Sequence, residues 1–195
     1  MLDKLHPDFV LASSSPQRVT LLRQIGIIPD RIVKAEIDET PFQSETPIKL
    51  AERLSLAKAK VVAENNQRSF VLAADTVVAC GKRALLKAKS IEQARSFLEL
   101  LSGRRHRVYS GITIISPSNK VHTRVVITRV IFKRLSRQEV ENYLETNEWQ
   151  NKSGAYAIQG RAAKFVRSIN GSYSNVVGLP LFETSQILLG VGFKL

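Results

Sequence analysis

The serines that follow the first apolar run of the chain are suited to binding phosphate. This run starts at Phe9 and stops at the serines of positions 13–15, and Pro16 comes next. Ser15 is a favoured helix N-cap residue and proline is favoured at the first helical position, so a helix is predicted to begin here. A helix N-terminus presents free backbone N–H groups and the positive end of a dipole, which favour an anion such as phosphate.

A second segment places a carboxylate within an otherwise apolar strand. The run from Phe70 to Val78 is apolar except at Asp75 and Thr76. A carboxylate in such a position is costly to bury unless a cation or hydrogen bonds compensate its charge. A phosphate cradle, together with a carboxylate that faces a metal ion or basic side chains, indicates phosphate-ester or phosphoanhydride chemistry. The alternative is a structural Asp75 that is bonded to nearby backbone amides.

The composition is that of an ordinary globular domain. Of the 195 residues, 44% are hydrophobic and 24% are charged, so we predict a single domain over residues 1–195. No apolar run approaches the ~20 residues of a membrane span, and residues 1–4 carry no signal-peptide pattern. Cys80 is the only cysteine, which excludes an internal disulfide. We therefore expect a cytoplasmic protein with no membrane partner.

The net charge of +12 has two interpretations. One is nucleic-acid binding. The other is a basic cleft for a small polyanionic substrate, with the remaining charge on a solvated surface. The basic residues occur in short scattered clusters, such as Lys82-Arg83 and Arg104-Arg105-His106-Arg107, and form no long arm. This pattern favours the small substrate, and nucleic acid is not the expected partner.

Strand-like and helix-like segments alternate along the chain, which predicts an α/β fold. Strands are predicted at residues 9–12, 70–78, 108–115, 121–132, 165–169 and 173–177. Helices are predicted to begin near Pro16, Pro47, Ser90, Ser136 and Pro180. The strands on either side of Pro117-Ser118-Asn119 are expected to form a hairpin. Asn170-Gly171 is expected to turn the chain into the last strand.

The second predicted helix is expected to be amphipathic. Its residues Leu50, Leu54, Ala57 and Val61 recur at helical spacing. They are predicted to form one apolar face that packs on the core. In this interpretation, Lys58 lies on another face of the helix.

Short motifs occur in a fixed order over most of the chain. They are Ser13-Ser14-Ser15-Pro16-Gln17-Arg18, Ala74-Asp75-Thr76, Leu101-Ser102-Gly103-Arg104-Arg105-His106, Ala155-Tyr156-Ala157-Ile158-Gln159-Gly160 and Asn175-Val176-Val177-Gly178-Leu179-Pro180. Each motif alone is a weak signal, whereas the ordered set is a strong one. The set resembles the signature of the Maf family of nucleoside triphosphate pyrophosphatases. The resemblance implies an α/β fold whose twisted mixed sheet, flanked by helices, forms two lobes around a deep substrate cleft, commonly in a homodimer.

The resemblance also implies a reaction, the hydrolysis of a nucleoside triphosphate to the monophosphate and pyrophosphate, with dTTP and UTP as expected substrates. Asp75 is then the proton acceptor for the attacking water, beside a divalent Mg²⁺ or Mn²⁺ ion. Glu39 resembles the second acidic position and would share the metal, since Mg²⁺ prefers oxygen ligands. Lys58 and Lys87 match two lysines that face the phosphates and offset charge on the departing pyrophosphate. Without the resemblance, Glu39 would be interpreted as a surface residue.

Further residues are assigned to substrate binding by the same resemblance. Ser13 and Ser15 belong to the phosphate cradle, where the guanidinium of Arg18 can hold a phosphate with two hydrogen bonds. Thr76 and Gln159 match positions that contact the base in members that prefer dTTP and UTP. The Gln159 amide both donates and accepts, so it can pair with the imide edge of thymine or uracil.

Two positions depart from the family pattern. Gln17, which we also assign to substrate binding, stands where the first arginine of Ser-Pro-Arg-Arg is expected, so one cation is missing. A nearby cation such as Arg104 or Arg105 could fill this gap. Leu86-Lys87-Ala88 replaces the usual Gly-Lys-Pro, which keeps the lysine and loses the turn residues. Because the first position is tied to substrate choice in the family, the resemblance assigns the reaction class better than the base.

The histidines add no metal site. His6, His106 and His122 lack the spacing of metal ligands. His106 is expected to be structural or to line the cleft.

Three functions stay open on the sequence. The first is a pyrophosphatase of dTTP and UTP, including modified nucleotides, that cleans the nucleotide pool. The second is the same chemistry on a broader or non-pyrimidine set of nucleotides, which Gln17 keeps open. The third is a non-enzymatic role in cell division or nucleic-acid binding, suggested by the basic charge.

Overall fold

A mixed sheet of seven strands organises the chain in the computed structural model, which describes residues 7–194. The strands are β1 (Phe9–Ala12), β2 (Arg31–Ile32), β3 (Phe70–Cys80), β4 (Arg83–Leu85), β5 (Arg105–Ile115), β6 (Val121–Phe132) and β7 (Val166–Asn170). The α-helices are α1 (Pro16–Gln24), α2 (Pro47–Glu64), α3 (Ile91–Leu101), α4 (Arg137–Leu144), α5 (Tyr173–Val177) and α6 (Leu181–Gly190), and a 3₁₀ turn covers Arg161–Phe165. None of the helices in the described range has the length and apolar content needed to cross a membrane. Residues 1–4 and His6 lie outside that range.

The strand order places the two motif-bearing strands side by side. The order is β2-β1-β3-β5-β6-β7, with β4 also paired to β3. β1 runs parallel to β3, with Phe9 opposite Phe70 and Ala12 opposite Ala73. The pairs β3–β5, β5–β6 and β6–β7 are antiparallel. The predicted α/β fold with a mixed sheet is therefore confirmed.

One edge of β3 is left unpaired over a short stretch. β1 pairs with β3 only as far as Ala73, and β4 pairs with it from Val78 onward. Between these two pairings, no strand of the described chain lies beside Asp75 and Thr76 on that edge, although β5 covers the other edge. Successive residues of a strand point to opposite faces, so Asp75 and Thr76 project to different sides of the same gap.

Separate hydrophobic cores cover different parts of the two faces of the sheet. On one face, α1 and α6 cover the half of the sheet that contains β1, where Leu11, Leu22 and Leu188 are buried together. α3 and α4 cover the other half of this face, with Leu98 and Tyr143 in their core. α2 packs on the opposite face, against β1 and β3. The gap in the edge of β3 lies where these cores meet.

α2 is rotated relative to the predicted apolar face. Its buried residues are Pro47, Leu50, Ala51, Leu54, Ser55, Lys58, Ala59 and Val62. Ala57 is only partly buried and Val61 is 38% exposed, so the prediction that they face the core is wrong. The cause is Gly111 of β5, because a Cβ atom there would lie 2.1 Å from the carbonyl oxygen of Ala51. The helix backbone therefore lies directly on β5, and Lys58 falls on the buried side rather than on an outer face.

The predicted last strand, residues 173–177, is also wrong, since this segment forms helix α5. The Ser172 hydroxyl caps the helix by accepting a hydrogen bond from the Asn175 N–H at 3.2 Å. The Asn175 side chain donates to the backbone carbonyls of Val108 and Val126 on β5 and β6. The segment is thus joined to the sheet through a side chain instead of through a strand ladder.

Candidate active site

The gap in the edge of β3 opens into a cleft with a volume of about 930 Å³. Such a volume is within the range of small-molecule sites. The walls come from the β1–α1 turn, the loop before α2, α2 itself, the segment after β4 and the segment between α4 and β7. All the residues assigned to the site from the sequence line this cleft: Ser13, Ser15, Gln17, Arg18, Glu39, Lys58, Asp75, Thr76, Lys87 and Gln159. The fold thus brings together side chains that are far apart in the sequence.

Asp75, Lys58 and Glu39 form a compact charged cluster at the gap. The Lys58 ammonium lies 2.5 Å from Asp75 Oδ1 and 2.6 Å from Glu39 Oε1. Lys87 donates a hydrogen bond to the second oxygen of Glu39 at 3.0 Å. Lys58 is 8% exposed and Asp75 is 7% exposed, so this pair is largely removed from water. The ammonium supplies the compensation that a buried carboxylate requires.

The lysines on either side of Glu39 keep it ionised. Burial alone would raise the pKa of Glu39, but the hydrogen bonds and charges of Lys58 and Lys87 outweigh it and lower the pKa to about 2. The loop that carries Glu39 is anchored to α2 by Arg53, whose guanidinium donates to both carboxylate oxygens of Glu45. Glu39 is therefore a fixed negative charge at neutral and mildly acidic pH.

Arg18 organises the opposite side of the gap. Its Nε donates to the Gly178 carbonyl at 2.9 Å, its Nη1 to Ser13 Oγ at 3.0 Å, and its Nη2 to Thr76 Oγ1 at 3.4 Å. Burial lowers the pKa of Arg18, and the negative charges of the carboxylate cluster oppose this effect. A guanidinium remains protonated under such shifts. Hydrogen bonds from the Arg18 guanidinium thus link α1 to β3 and to the segment after α5.

The start of α1 turns its polar groups toward the cleft. Ser15 is the N-cap residue and Pro16 begins the helix, as predicted, but the Ser15 hydroxyl does not cap the helix. It donates to Gln17 Oε1 at 3.1 Å, while the Ser15 N–H donates to Ser13 Oγ at 3.1 Å. The Gln17 side chain is therefore held at the cleft wall by its neighbour.

Gln159 belongs to the segment between α4 and β7 that lines the cleft. This segment is held by Glu148, whose carboxylate accepts a hydrogen bond from the Arg161 N–H at 2.8 Å. Gly160 permits this approach, since a Cβ atom at that position would lie 2.1 Å from Glu148 Oε2. The Ser153 hydroxyl joins the same segment to both strands, because it accepts a hydrogen bond from a backbone N–H of β3 and donates one to a backbone carbonyl of β4. Gln159 is therefore exposed to the cleft from a fixed backbone.

Three lysines that we did not assign to the site also line the cleft, namely Lys34, Lys89 and Lys152. Burial lowers the pKa of Lys152. In the sequence these residues are indistinguishable from solvated surface lysines, and only the fold brings them together. The lining carries six basic side chains against two acidic ones. Arg104 and Arg105, suggested as substitutes for the missing family arginine, do not line the cleft.

His106 is structural and supports the cleft wall from behind. It is 2% exposed, and its Nε2 lies 2.8 Å from the hydroxyl of Tyr156, which lines the cleft. Its ring packs edge-on against Phe132. Burial lowers the pKa of His106 to about 4, so the imidazole is neutral at neutral pH.

The acidic side chains of the cluster suit a divalent metal that arrives with its ligand. Within residues 7–194, no group of three or more His, Cys, Asp or Glu side chains could hold a metal ion. Asp75 Oδ1 and Glu39 Oε1 converge on one ammonium, which shows that they can share a cation. Mg²⁺ is typically bound by one or two carboxylates together with substrate phosphates and water. The donor set fits that mode and not an all-protein cage.

Comparisons with known proteins agree with the motifs and the architecture. A family model described as Maf-like protein matches residues 8–191. A dTTP/UTP pyrophosphatase of Paramagnetospirillum magneticum is 56% identical over 184 residues, which cover 94% of this chain and 97% of that protein. Proteins of the same name from Mesorhizobium japonicum and Rhodospirillum rubrum are 54% and 53% identical. Each alignment covers 95% of this chain, and 92% and 88% of the respective relative.

A solved structure shows the same fold at low sequence identity. A HAM1 protein from Coxiella burnetii matches with a TM-score of 0.50 and 16% identity, over 94% of this chain and 99% of that one. At this identity the likeness concerns the fold alone. It agrees with the open mixed sheet described above.

Proposed function

The chain belongs to the Maf family, and we propose that it is a nucleoside triphosphate pyrophosphatase that converts dTTP and UTP to their monophosphates and pyrophosphate. The observation that carries the proposal is the Lys58–Asp75 pair at the gap in β3, which faces a predominantly basic cleft. The names of the relatives described above support the choice of dTTP and UTP.

The charge of the cleft supports a polyanionic substrate. Six basic side chains face two acidic ones, so the lining has a positive surplus that a triphosphate would neutralise. Arg18 and the hydroxyls of Ser13 and Ser15 are proposed to hold phosphate at the start of α1, where backbone N–H groups and the helix dipole also favour an anion. Lys58 and Lys87 are proposed to offset the charge that develops on the departing pyrophosphate.

Asp75 is the proposed proton acceptor. Water attacks the phosphorus next to the sugar, the bond from this phosphorus to the bridging oxygen breaks, and pyrophosphate leaves. Asp75 Oδ1 is held by Lys58 at 2.5 Å, while Oδ2 forms no hydrogen bond with any other described residue. Since Asp75 lines the cleft, Oδ2 is available to accept a proton from a water molecule there.

A divalent metal is part of the proposal. Glu39 and Asp75 would hold Mg²⁺ or Mn²⁺ together with the phosphates of the substrate. When bound, such an ion neutralises phosphate charge and makes the attacking water more acidic. Because the lysines keep the pKa of Glu39 at about 2, its carboxylate is a ready ligand at neutral pH.

Three side chains are proposed to set the base preference. Thr76 and Gln159 both line the cleft and are proposed to offer hydrogen bonds to the base. Gln17 is tied to Ser15 at the wall and supplies an amide in place of a cation. These residues act on selectivity, whereas the carboxylate cluster acts on the chemical step.

Product analysis across a panel of canonical and modified nucleoside triphosphates, with Mg²⁺ or Mn²⁺, tests the proposal. We expect equal amounts of monophosphate and pyrophosphate, fastest turnover of dTTP and UTP, and no turnover in EDTA. Release of orthophosphate and a nucleoside diphosphate would contradict the reaction. Full activity in EDTA would contradict the metal. Preference for purine nucleotides would contradict only the choice of base.

The family resemblance is also the basis for proposing a homodimer and a cytoplasmic location. Light scattering of the purified protein should give twice the mass of one chain. A monomeric mass at all concentrations tested would contradict the dimer without affecting the proposed reaction.

A further inference from the structure

A buried series of hydrogen bonds runs from Thr76 away from the cleft. Thr76 and Ser110 are directly opposite each other on β3 and β5, and their hydroxyl oxygens lie 3.0 Å apart. Ser110 is fully buried, and its hydroxyl lies 3.2 Å from the main-chain carbonyl of Asn175. Ser110 does not line the cleft, whereas Thr76 does. Ser110 therefore makes no direct contact with a ligand in the cleft, and its hydroxyl reaches the cleft through the Thr76 hydroxyl beside it.

The number of available protons determines the direction of these bonds. Each hydroxyl has one proton to donate, and a carbonyl can only accept. When Ser110 donates to the Asn175 carbonyl, its oxygen accepts the proton of Thr76. Arg18 can only donate, and its Nη2 lies 3.4 Å from Thr76 Oγ1. The Thr76 proton is thus directed into the protein, and one lone pair of its oxygen is left for the cleft.

The reverse arrangement, in which Ser110 donates to Thr76, is less favourable. If Ser110 donated to Thr76, the Thr76 proton would be left for the cleft or for the Gly178 carbonyl at 3.4 Å, a longer contact than the 3.0 Å to Ser110. The Asn175 carbonyl would then lose the Ser110 hydrogen bond. A buried carbonyl without a partner costs free energy, so the first arrangement is favoured.

The acceptor at the end of the series is itself held in place. The Asn175 side-chain nitrogen lies 2.9 Å from Thr128 Oγ1, 3.3 Å from the Val108 carbonyl and 3.4 Å from the Val126 carbonyl. Two of these groups are carbonyls, which need a donor, so the amide can face them only with its NH₂ group. Helix α5 is thereby fixed on β5 and β6, and its carbonyl stays in reach of Ser110.

We propose that Ser110 is a positioning residue that makes the Thr76 hydroxyl an acceptor toward the cleft, so that the site favours a base with a ring N–H. Uracil and thymine carry a hydrogen on N3, whereas cytosine has an unprotonated N3 at the same position. The inference rests on the proposed function, because it assigns the base to the neighbourhood of Thr76. Without Ser110, the Thr76 proton can also point to the cleft, and selection of UTP over CTP weakens.

Steady-state pyrophosphate release from UTP and from CTP tests this inference, since these substrates share sugar and phosphates. The readout is the ratio of the two kcat/KM values. In Ser110→Ala we expect this ratio to fall by roughly three- to tenfold, as for loss of one hydrogen bond. Thr76→Val should lower it at least as much. Adding Ser110→Ala to Thr76→Val should change it by less than about twofold, because the proposed effect of Ser110 passes through that hydroxyl.

Thr113→Val is the matched control. Thr113 is a fully buried residue of β5 whose hydroxyl lies 3.1 Å from the Ser55 hydroxyl, on the face covered by α2. This variant removes a comparable bond and should leave the UTP/CTP ratio unchanged, whatever its effect on the melting temperature. An unchanged UTP/CTP ratio in Ser110→Ala would overturn this inference and leave the proposed function standing. A further drop of the same size when Ser110→Ala is added to Thr76→Val would do the same. Absence of pyrophosphate release from UTP by the wild type would overturn the proposed function as well.

Discussion

Replacing Lys58 by methionine should destabilise the fold, because it leaves a buried carboxylate without its cation. The Lys58 ammonium lies 2.5 Å from Asp75 Oδ1, and both side chains are 10% exposed. Removing one partner of a fully buried ion pair costs about 3–5 kcal/mol. Asp75 also lines the cleft and can keep some hydration through Oδ2. We therefore expect the free energy of unfolding to fall by about 2–4 kcal/mol in Lys58→Met.

Urea unfolding at neutral pH measures this loss, and two further variants identify its cause. Lys58→Met combined with Asp75→Asn removes the unpaired charge, so the double variant should regain much of the lost stability. Lys49→Met is the matched control, since this lysine of the same helix is 70% exposed and pairs with Glu52 at 2.8 Å. It should cost less than about 1 kcal/mol. A similarly small cost for Lys58→Met, or additive costs in the double variant, would show that the buried charge of Asp75 does not depend on Lys58.

Two other predictions concern His106 and Gln17. Burial lowers the pKa of His106 from 6.5 to about 4, so the unfolded chain binds the proton first as the pH falls. This difference in pKa contributes at most about 3 kcal/mol to the free energy of unfolding. The contribution is present in full above pH ~6.5 and is lost as the pH falls toward ~4. The unfolding free energy of His106→Gln should therefore depend less on pH in this window, and equal slopes for both proteins would contradict this. Gln17→Arg should raise kcat/KM for dTTP and UTP by about tenfold to a hundredfold, the worth of one charged hydrogen bond. An unchanged efficiency and substrate ranking would show that the position supplies no contact to the nucleotide.

The elements that depend on neighbouring residues could be predicted from the sequence. The Ser136–Glu139 capping box forms at the start of α4, with each residue bonded to the backbone of the other. Pro16 begins α1, and the hairpin of β5 and β6 forms around the turn at 117–119. In these cases a turn or cap determines where an element begins. The motif residues could be grouped into one site because the ordered set resembles that of a known family.

Features that depend on distant contacts could not be predicted. The orientation of α2 is set by the absence of a side chain at Gly111, far along the chain, so the burial of Lys58 was missed. Residues 173–177 have an apolar pattern compatible with a strand, but Asn175 binds the sheet through its side chain and the segment becomes a helix. Lys34 and Lys152 carry no local signal, because their role in the cleft depends only on where the fold places them.

Turnover of dTTP by Asp75→Asn shows whether the carboxylate at the gap in β3 activates water to release pyrophosphate. The exchange keeps the size of the side chain and leaves Lys58 paired with Glu39 at 2.6 Å, so the fold should persist, as circular dichroism can verify. Glu99→Gln, at an exposed carboxylate outside the cleft, is the control and should keep full activity. We expect kcat for pyrophosphate release to fall by about 10²–10⁴ in Asp75→Asn. Near-normal turnover in a folded Asp75→Asn protein would contradict this expectation and would make this carboxylate structural.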